Sequence, residues 1–204
     1  MKSKSFICML TGLFLIGLVG TAQATIIFSD NFNAENGGVG VVNYSGFANW
    51  TVSAGTVDLI GNGYYDFLPG NGLYVDMDGS TGNAGIMTNN LSLAAGNYVL
   101  SYNLAGNQLN GSTEQVDVQV ALGSLVNATH SLNQNDPFTT FIQSFTVSSP
   151  TIADLSFIGN GGDNIGMLLD NIVLEQVVPV PEPSTLLLLG AGLGGLVFWR
   201  KKRQ

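Results

Sequence analysis

Between Thr25 and Val178 the chain carries thirteen carboxylates and neither lysine nor arginine. Chemistry in this stretch must therefore rest on acids, amides, hydroxyls and aromatic rings. Carboxylate and carbonyl oxygens are the donors calcium prefers, and a divalent cation would relieve the mutual repulsion of so many acids. Asp76-Met77-Asp78-Gly79-Ser80 begins as a calcium loop does. Thr81 then occupies the place of the sharp-turn glycine and Met87 that of the bidentate glutamate, so the plainer reading is a solvated Asp-Gly turn. Sugar recognition needs exposed rings beside polar groups. Tyr64 and Tyr65, in the turn Gly61-Asn62-Gly63-Tyr64-Tyr65-Asp66, are the candidates, as a platform or as simple loop packing. Trp50 lies in an expected strand and is read as core. His130, the one histidine, has no nucleophile motif beside it and reads as a surface-loop residue. With no thiol, lysine or arginine in this stretch, an oxyanion clamp would need backbone N–H groups or a metal. A carboxylate pair acting on a glycosidic bond is compatible with the composition, but no pair stands out. No catalytic residue is assigned.

The termini say where such a body is delivered. Lys2 and Lys4 precede an apolar stretch from Phe6 to Val19, and Ala22-Gln23-Ala24 supplies small residues at cleavage spacing. Residues 1–24 are read as a secretory signal peptide cut by signal peptidase before Thr25. At the other end, Pro181-Glu182-Pro183 is followed by an uncharged run from Leu186 to Trp199 and then by Arg200, Lys201, Lys202 and Arg203. The prolines hold the chain extended. The apolar run is short for a span of ~20 residues, a deficit that snorkelling of Arg200 offsets. The four cations fix the cytoplasmic side. These three pieces in this order resemble the PEP-CTERM sorting signal of exopolysaccharide-producing Gram-negative bacteria. That resemblance implies processing near Pro181, Glu182 and Pro183 by an exosortase-type membrane protease. It implies a route rather than an activity; the alternative is a plain tail anchor that is never cut.

All six Lys and Arg residues lie in the terminal segments, and thirteen acids against no base give the body a formal charge of −13, compared with −8 for the whole chain. Nucleic acid is excluded as a partner, because its binding sets cations against phosphates. Anionic surfaces are disfavoured unless divalent ions bridge them. Cys8, the single cysteine, falls in the signal peptide, so no disulfide holds the body. At roughly 154 residues an ordinary core suffices.

Three domains are expected: the signal peptide over 1–24, a folded body over 25–178 and the sorting signal over 179–204. No 3.6-residue apolar period is sustained in the body, whereas Val116, Val118 and Val120 alternate with Asp117 and Gln119. About ten short strands are expected, among them Thr56–Ile60, Leu73–Asp76, Gly85–Thr88, Asn97–Ala105 and Thr139–Val147, with turns between them. The fold class is all-β, an antiparallel two-sheet sandwich of jelly-roll type, flanked by the signal peptide and a short C-terminal transmembrane helix. Ser29-Asp30-Asn31-Phe32-Asn33 and Gly166-Met167-Leu168-Leu169-Asp170-Asn171-Ile172-Val173-Leu174 resemble the first and last strands of galactose-binding-like jelly rolls, including carbohydrate-binding modules. That resemblance implies a structural calcium with Asp170 as last-strand ligand and Asp30 or Glu35 as its partner. Gly159-Asn160-Gly161-Gly162-Asp163-Asn164 is similar to a single turn of a calcium-binding β-roll. The expected function is that of an exported, non-enzymatic protein of the cell surface or extracellular matrix, structural or adhesive in an exopolysaccharide layer. The alternative is a carbohydrate-binding module with a defined glycan, and a glycosidase is a distant third.

Overall fold

The computed structural model describes residues 23–109, 113–120, 125–161 and 164–178, together with Gly192 and Arg200. The signal peptide through residue 22, the Pro-Glu-Pro element and Lys201 to Arg203 lie outside the described residues. Residues 24–178 form one compact unit.

Among the described residues the body has eleven strands. They are β1 (Gln23–Asp30), β2 (Thr51–Ala54), β3 (Asp58–Gly61), β4 (Leu73–Asp76), β5 (Ile86–Leu93), β6 (Gly96–Ala105), β7 (Thr113–Val120), β8 (Val126–Asn133), β9 (Thr139–Val147), β10 (Thr151–Asn160) and β11 (Leu168–Val178). One sheet runs β3-β4-β11-β6-β9, with β1 also on β11, and the other runs β2-β5-β10-β7-β8. The strand pairs nest about the β7–β8 hairpin: β6 pairs β9, β5 pairs β10 and β4 pairs β11, all antiparallel. A nested hairpin wrapped into two facing sheets is the jelly roll, so the expected fold class stands.

Alternation dictates which side chains meet between the sheets. On β6, Tyr98, Leu100, Tyr102 and Leu104 are buried in the core and alternate with half-buried or exposed neighbours. Ala153, Leu155 and Phe157 of β10 do the same from the opposite sheet. Trp50, only 4% exposed, packs edge-on against Phe28 and Phe157, which agrees with its reading as core.

Two expectations are corrected. The strand β8 had no counterpart in the sequence reading, and His130 belongs to it rather than to a surface loop. Its ring lies 4.1 Å from that of Phe141, and its Nε2 is 2.8 Å from the Tyr102 hydroxyl, which belongs to the other sheet. Burial lowers its pKa from 6.5. Only Val126 of β8 is fully buried, and Ala128, His130 and Leu132 are half-buried, so the alternation carries little apolar contrast.

The first sheet also buries part of its face away from the core. Ile60 of β3, Tyr74 of β4, Leu168 of β11 and Ala105 of β6 form a second, smaller cluster there, covered by Phe67, Leu68 and Phe138. Phe67 and Leu68 come from the segment between β3 and β4, which folds back over its own hairpin. Both ends of that segment require glycine. Gly61 has φ +110° and Gly72 has φ +78°, and a β-carbon on either would collide, with Gly72 O and with the Asn33 side chain respectively.

Candidate functional site

The β3–β4 register sets two acids opposite each other. Asp58 faces Asp76, and one step further Ile60 faces Tyr74. Both acids therefore share the outer face with the small apolar cluster, and both are buried, at 6% and 5% exposure. Asp58 is fully engaged: Oδ1 accepts the Asn43 N–H at 2.6 Å and the Ser80 N–H at 3.2 Å, while Oδ2 accepts the Ser80 hydroxyl at 2.6 Å. Asp76 receives the Asp78 N–H at 3.0 Å and the Gly166 N–H at 2.8 Å, both at Oδ1. Desolvation holds its carboxyl well above the usual 3.8, against those two hydrogen bonds, with Asp58 and Asp78 adding to the rise. The Asp76–Ser80 run thus neither coils into a metal loop nor stays a solvated turn. It ends β4 and folds its first acids inward.

Above this pair the β3–β4 segment is held by its own polar groups. The Tyr74 hydroxyl accepts the Leu68 N–H at 2.9 Å and lies 3.2 Å from Asp66 Oδ1 as donor. Asp66 Oδ2 accepts the Gly63 N–H at 3.1 Å, and Asn71 Nδ2 donates to Leu68 O at 2.7 Å. Burial, reinforced by Asp66, pushes the Tyr74 pKa up to about 12, so this hydroxyl keeps its proton.

The result is an open pocket of about 310 Å3. Its apolar lining is Ile60, Phe67, Leu109 and the ring of Tyr65, and its polar lining is Asp58, Asp76, Ser80 and Asn164. The two tyrosines singled out in the sequence divide here. Their rings meet edge to face at 4.8 Å, but Tyr65, 59% exposed, lines the pocket. Tyr64 instead lies against Gly40, where an added β-carbon would be 2.7 Å from its ring. The sequence reading missed Asp58, Phe67, Leu109 and Asn164 as members of the site. An acid inside an otherwise apolar strand, as in Val57-Asp58-Leu59-Ile60, was the available signal.

The expected calcium residues lie elsewhere. Asp30, at the end of β1, and Asp170, on β11, act on each other electrostatically, and Asp170 is pushed up to about 7, chiefly by desolvation. Asp30 Oδ1 accepts the Phe32 N–H at 2.9 Å, and its Oδ2 accepts Trp50 Nε1–H at 3.0 Å and Asn49 Nδ2–H at 3.1 Å. Asp170 accepts the N–H and the side-chain amide of Asn171, at 2.7 and 2.9 Å, beside a β-bulge in which Asn171 has φ +49°. Glu35 is turned to another task, with both oxygens accepting the Ala48 N–H. Among the described residues no three His, Cys, Asp or Glu side chains group to hold a metal. Calcium between Asp30 and Asp170 would need main-chain carbonyls to complete its oxygen set. The segments 29–31 and 171–173, which line an open cleft of about 270 Å3, could offer them.

Residues 179–203 match the PEP-CTERM protein-sorting motif. The motif implies export, membrane-anchored sorting and processing by exosortase. Arg200 is described as helical and exposed. Among the described residues no helix is long and apolar enough to cross a membrane, and the run from 186 to 199 is outside them apart from Gly192. None of the curated proteins matches the chain. Among solved structures, the body is similar to the K3 cleaved adhesin domain of Lys-gingipain from Porphyromonas gingivalis, at 14% identity over 75% of this chain and 99% of that one, with TM-score 0.47. It is also similar to the CBM22-1 xylan-binding domain of Xyn10C from Paenibacillus barcinonensis, at 12% identity over 79% and 99%, TM-score 0.46. A third likeness is the C-terminal CBM6 of LamC, a marine laminarinase from Zobellia galactanivorans, at 20% identity over 52% and 81%, TM-score 0.36.

Proposed function

We propose that the body is a non-catalytic glycan-binding domain, carried to the cell surface or the extracellular matrix by its tail and adhering there to exopolysaccharide. The observation that carries this reading is the pocket itself. An exposed aromatic ring, Tyr65, lines a pocket of about 310 Å3 together with carboxylate, hydroxyl and amide groups, on a segment already fixed by Tyr74 and Asp66. Sugars present C–H faces to rings and hydroxyls to polar side chains, and a pre-formed pocket lowers the ordering cost of binding. A non-catalytic role fits Asp58, whose oxygens are taken up by Asn43 and Ser80 and so are not offered as a nucleophile or base. Signal peptidase cleavage before Thr25 and a calcium between Asp30 and Asp170 belong to the same proposal. The adhesive reading is tested by passing the full-length chain over exopolysaccharide immobilised from its own cells. Retention that soluble polysaccharide displaces is expected, and unretarded passage contradicts it.

A further inference from the structure

Resting on the glycan reading, we infer that the Tyr65 pocket selects a sugar residue bearing a free, protonated amine over neutral, N-acetylated or acidic sugars. Three observations converge on this choice. First, Asp58 and Asp76 stand directly opposite on one face, so that ionising both sets like charges together, a cost that a nearby cation lowers. No Lys or Arg occurs between residues 25 and 178 to offset them, so the matching cation must come from outside the body. Second, both hydrogen bonds that Asp76 receives arrive at Oδ1, and no donor among the described residues reaches Oδ2. Asp76 is 95% enclosed yet lines the pocket, so an incoming N–H has an acceptor waiting in a weakly solvated setting. Third, an exposed phenol ring, that of Tyr65, lines the same pocket, and such a ring attracts an ammonium as well as the C–H face that carries it.

The same features exclude the neighbouring sugar classes. A uronate or sulfate would set another anionic group beside the Asp58 and Asp76 carboxyls, with no Lys or Arg of the body to receive it. N-acetylation removes the charge and adds bulk. A plain hydroxyl can donate to Asp76 but brings no charge, and charge-assisted bonds are roughly twice as strong as neutral ones.

The test uses the purified full-length chain and four length-matched β-1,4-linked oligosaccharides, of glucosamine, N-acetylglucosamine, glucose and glucuronate, titrated by calorimetry. The expected order places the glucosamine oligomer first by tenfold or more, with glucuronate undetectable. Asp76→Asn should remove the preference, bringing the ratio of glucosamine to glucose affinity down to about one. The ligand-side comparison needs no variant and stands even where Asp76→Asn folds poorly. Equal affinity for glucosamine, N-acetylglucosamine and glucose, or preference for glucuronate, overturns the amine inference and leaves glycan binding intact. Failure to bind any of the four overturns the inference, while retention on the native polysaccharide decides the glycan reading separately.

Discussion

Asp58 and Asp76 face each other across the β3–β4 ladder, both more than nine-tenths buried and with no Lys or Arg in the body to separate them. Directly opposed like charges destabilise a sheet, yet here they sit on the wall of an open pocket. The hydrogen bonds from Ser80, Asn43, Asp78 and Gly166 hold the pair in place, and the residual cost is one that a ligand can relieve.

Stability should fall as the solution is brought from mildly acidic to neutral pH. The native pKa of Asp76 lies well above 3.8, and that of Asp170 is about 7. A carboxyl with a raised native pKa keeps its proton in the fold while the unfolded chain releases it. Its contribution is complete below about 3.8 and is lost as pH climbs through the native value. His130, lowered from 6.5, works in the opposite sense: its contribution is complete above 6.5 and is lost on acidification. Two acids outweigh one imidazole, and repulsion among the thirteen acids grows in the same direction as theirs. Thermal unfolding should therefore give a higher Tm near about pH 5 than near about pH 7.5, with Asp76→Asn flattening the curve. A Tm that climbs steadily over that interval would refute the assignment.

Tyr74→Phe should loosen the pocket without emptying the core. The change deletes the hydroxyl that receives Leu68 N–H and reaches Asp66, while leaving the ring against Phe138. A loss of about 1–3 kcal/mol is expected for the pair of bonds, or a Tm drop of about 2–4 °C per kcal/mol. Amide exchange should quicken between residues 62 and 72. Unchanged protection there would show that apolar packing alone fixes the segment.

Calcium should stabilise the wild-type chain through Asp170. At a hundredfold excess over Kd the gain is about 2.7 kcal/mol, roughly 5–10 °C in Tm for a domain of this size. Asp170→Asn should abolish the response, because the amide offers one neutral oxygen in place of a carboxylate. Equal calcium shifts in both proteins would remove Asp170 from any such site.

Intact mass spectrometry of the protein from membrane and extracellular fractions of its native host should find a chain beginning at Thr25 and ending near Pro181 to Pro183. A chain still carrying Gln204 would mean an uncut anchor.

Much of the sandwich could be read from the sequence because its signal is local. Tyr98, Leu100 and Tyr102 mark a strand on their own, though their alternation with Val99 and Ser101 is too soft to tell which face turns inward, and the Gly/Asn-rich intervals mark the turns. β8 escaped because only Val126 in it is fully buried, so its alternation lacks apolar contrast. The sorting tail is contiguous and was fully legible, as its match over residues 179–203 bears out. The pocket was legible only at Tyr65, whose turn announces exposure. Its polar wall depends on the β3–β4 register, and Leu109 and Asn164 arrive from two further segments of the chain. No local pattern encodes that convergence. Asp30 and Asp170 lie at opposite ends of the body and were linked only through resemblance to other jelly rolls.

The measurement that tests the central claim most directly compares the full-length wild type, Tyr65→Ala and Tyr64→Ala for retention on immobilised native exopolysaccharide, with far-UV circular dichroism as the folding control. Tyr65 lines the pocket and Tyr64 lies against Gly40, so Tyr65→Ala should lose retention while Tyr64→Ala keeps most of it. Stacking of a flat ligand face on an aromatic ring is worth about 1–3 kcal/mol, which predicts a weakening of roughly fivefold to a hundredfold for Tyr65→Ala. Full retention by a folded Tyr65→Ala protein would contradict the account.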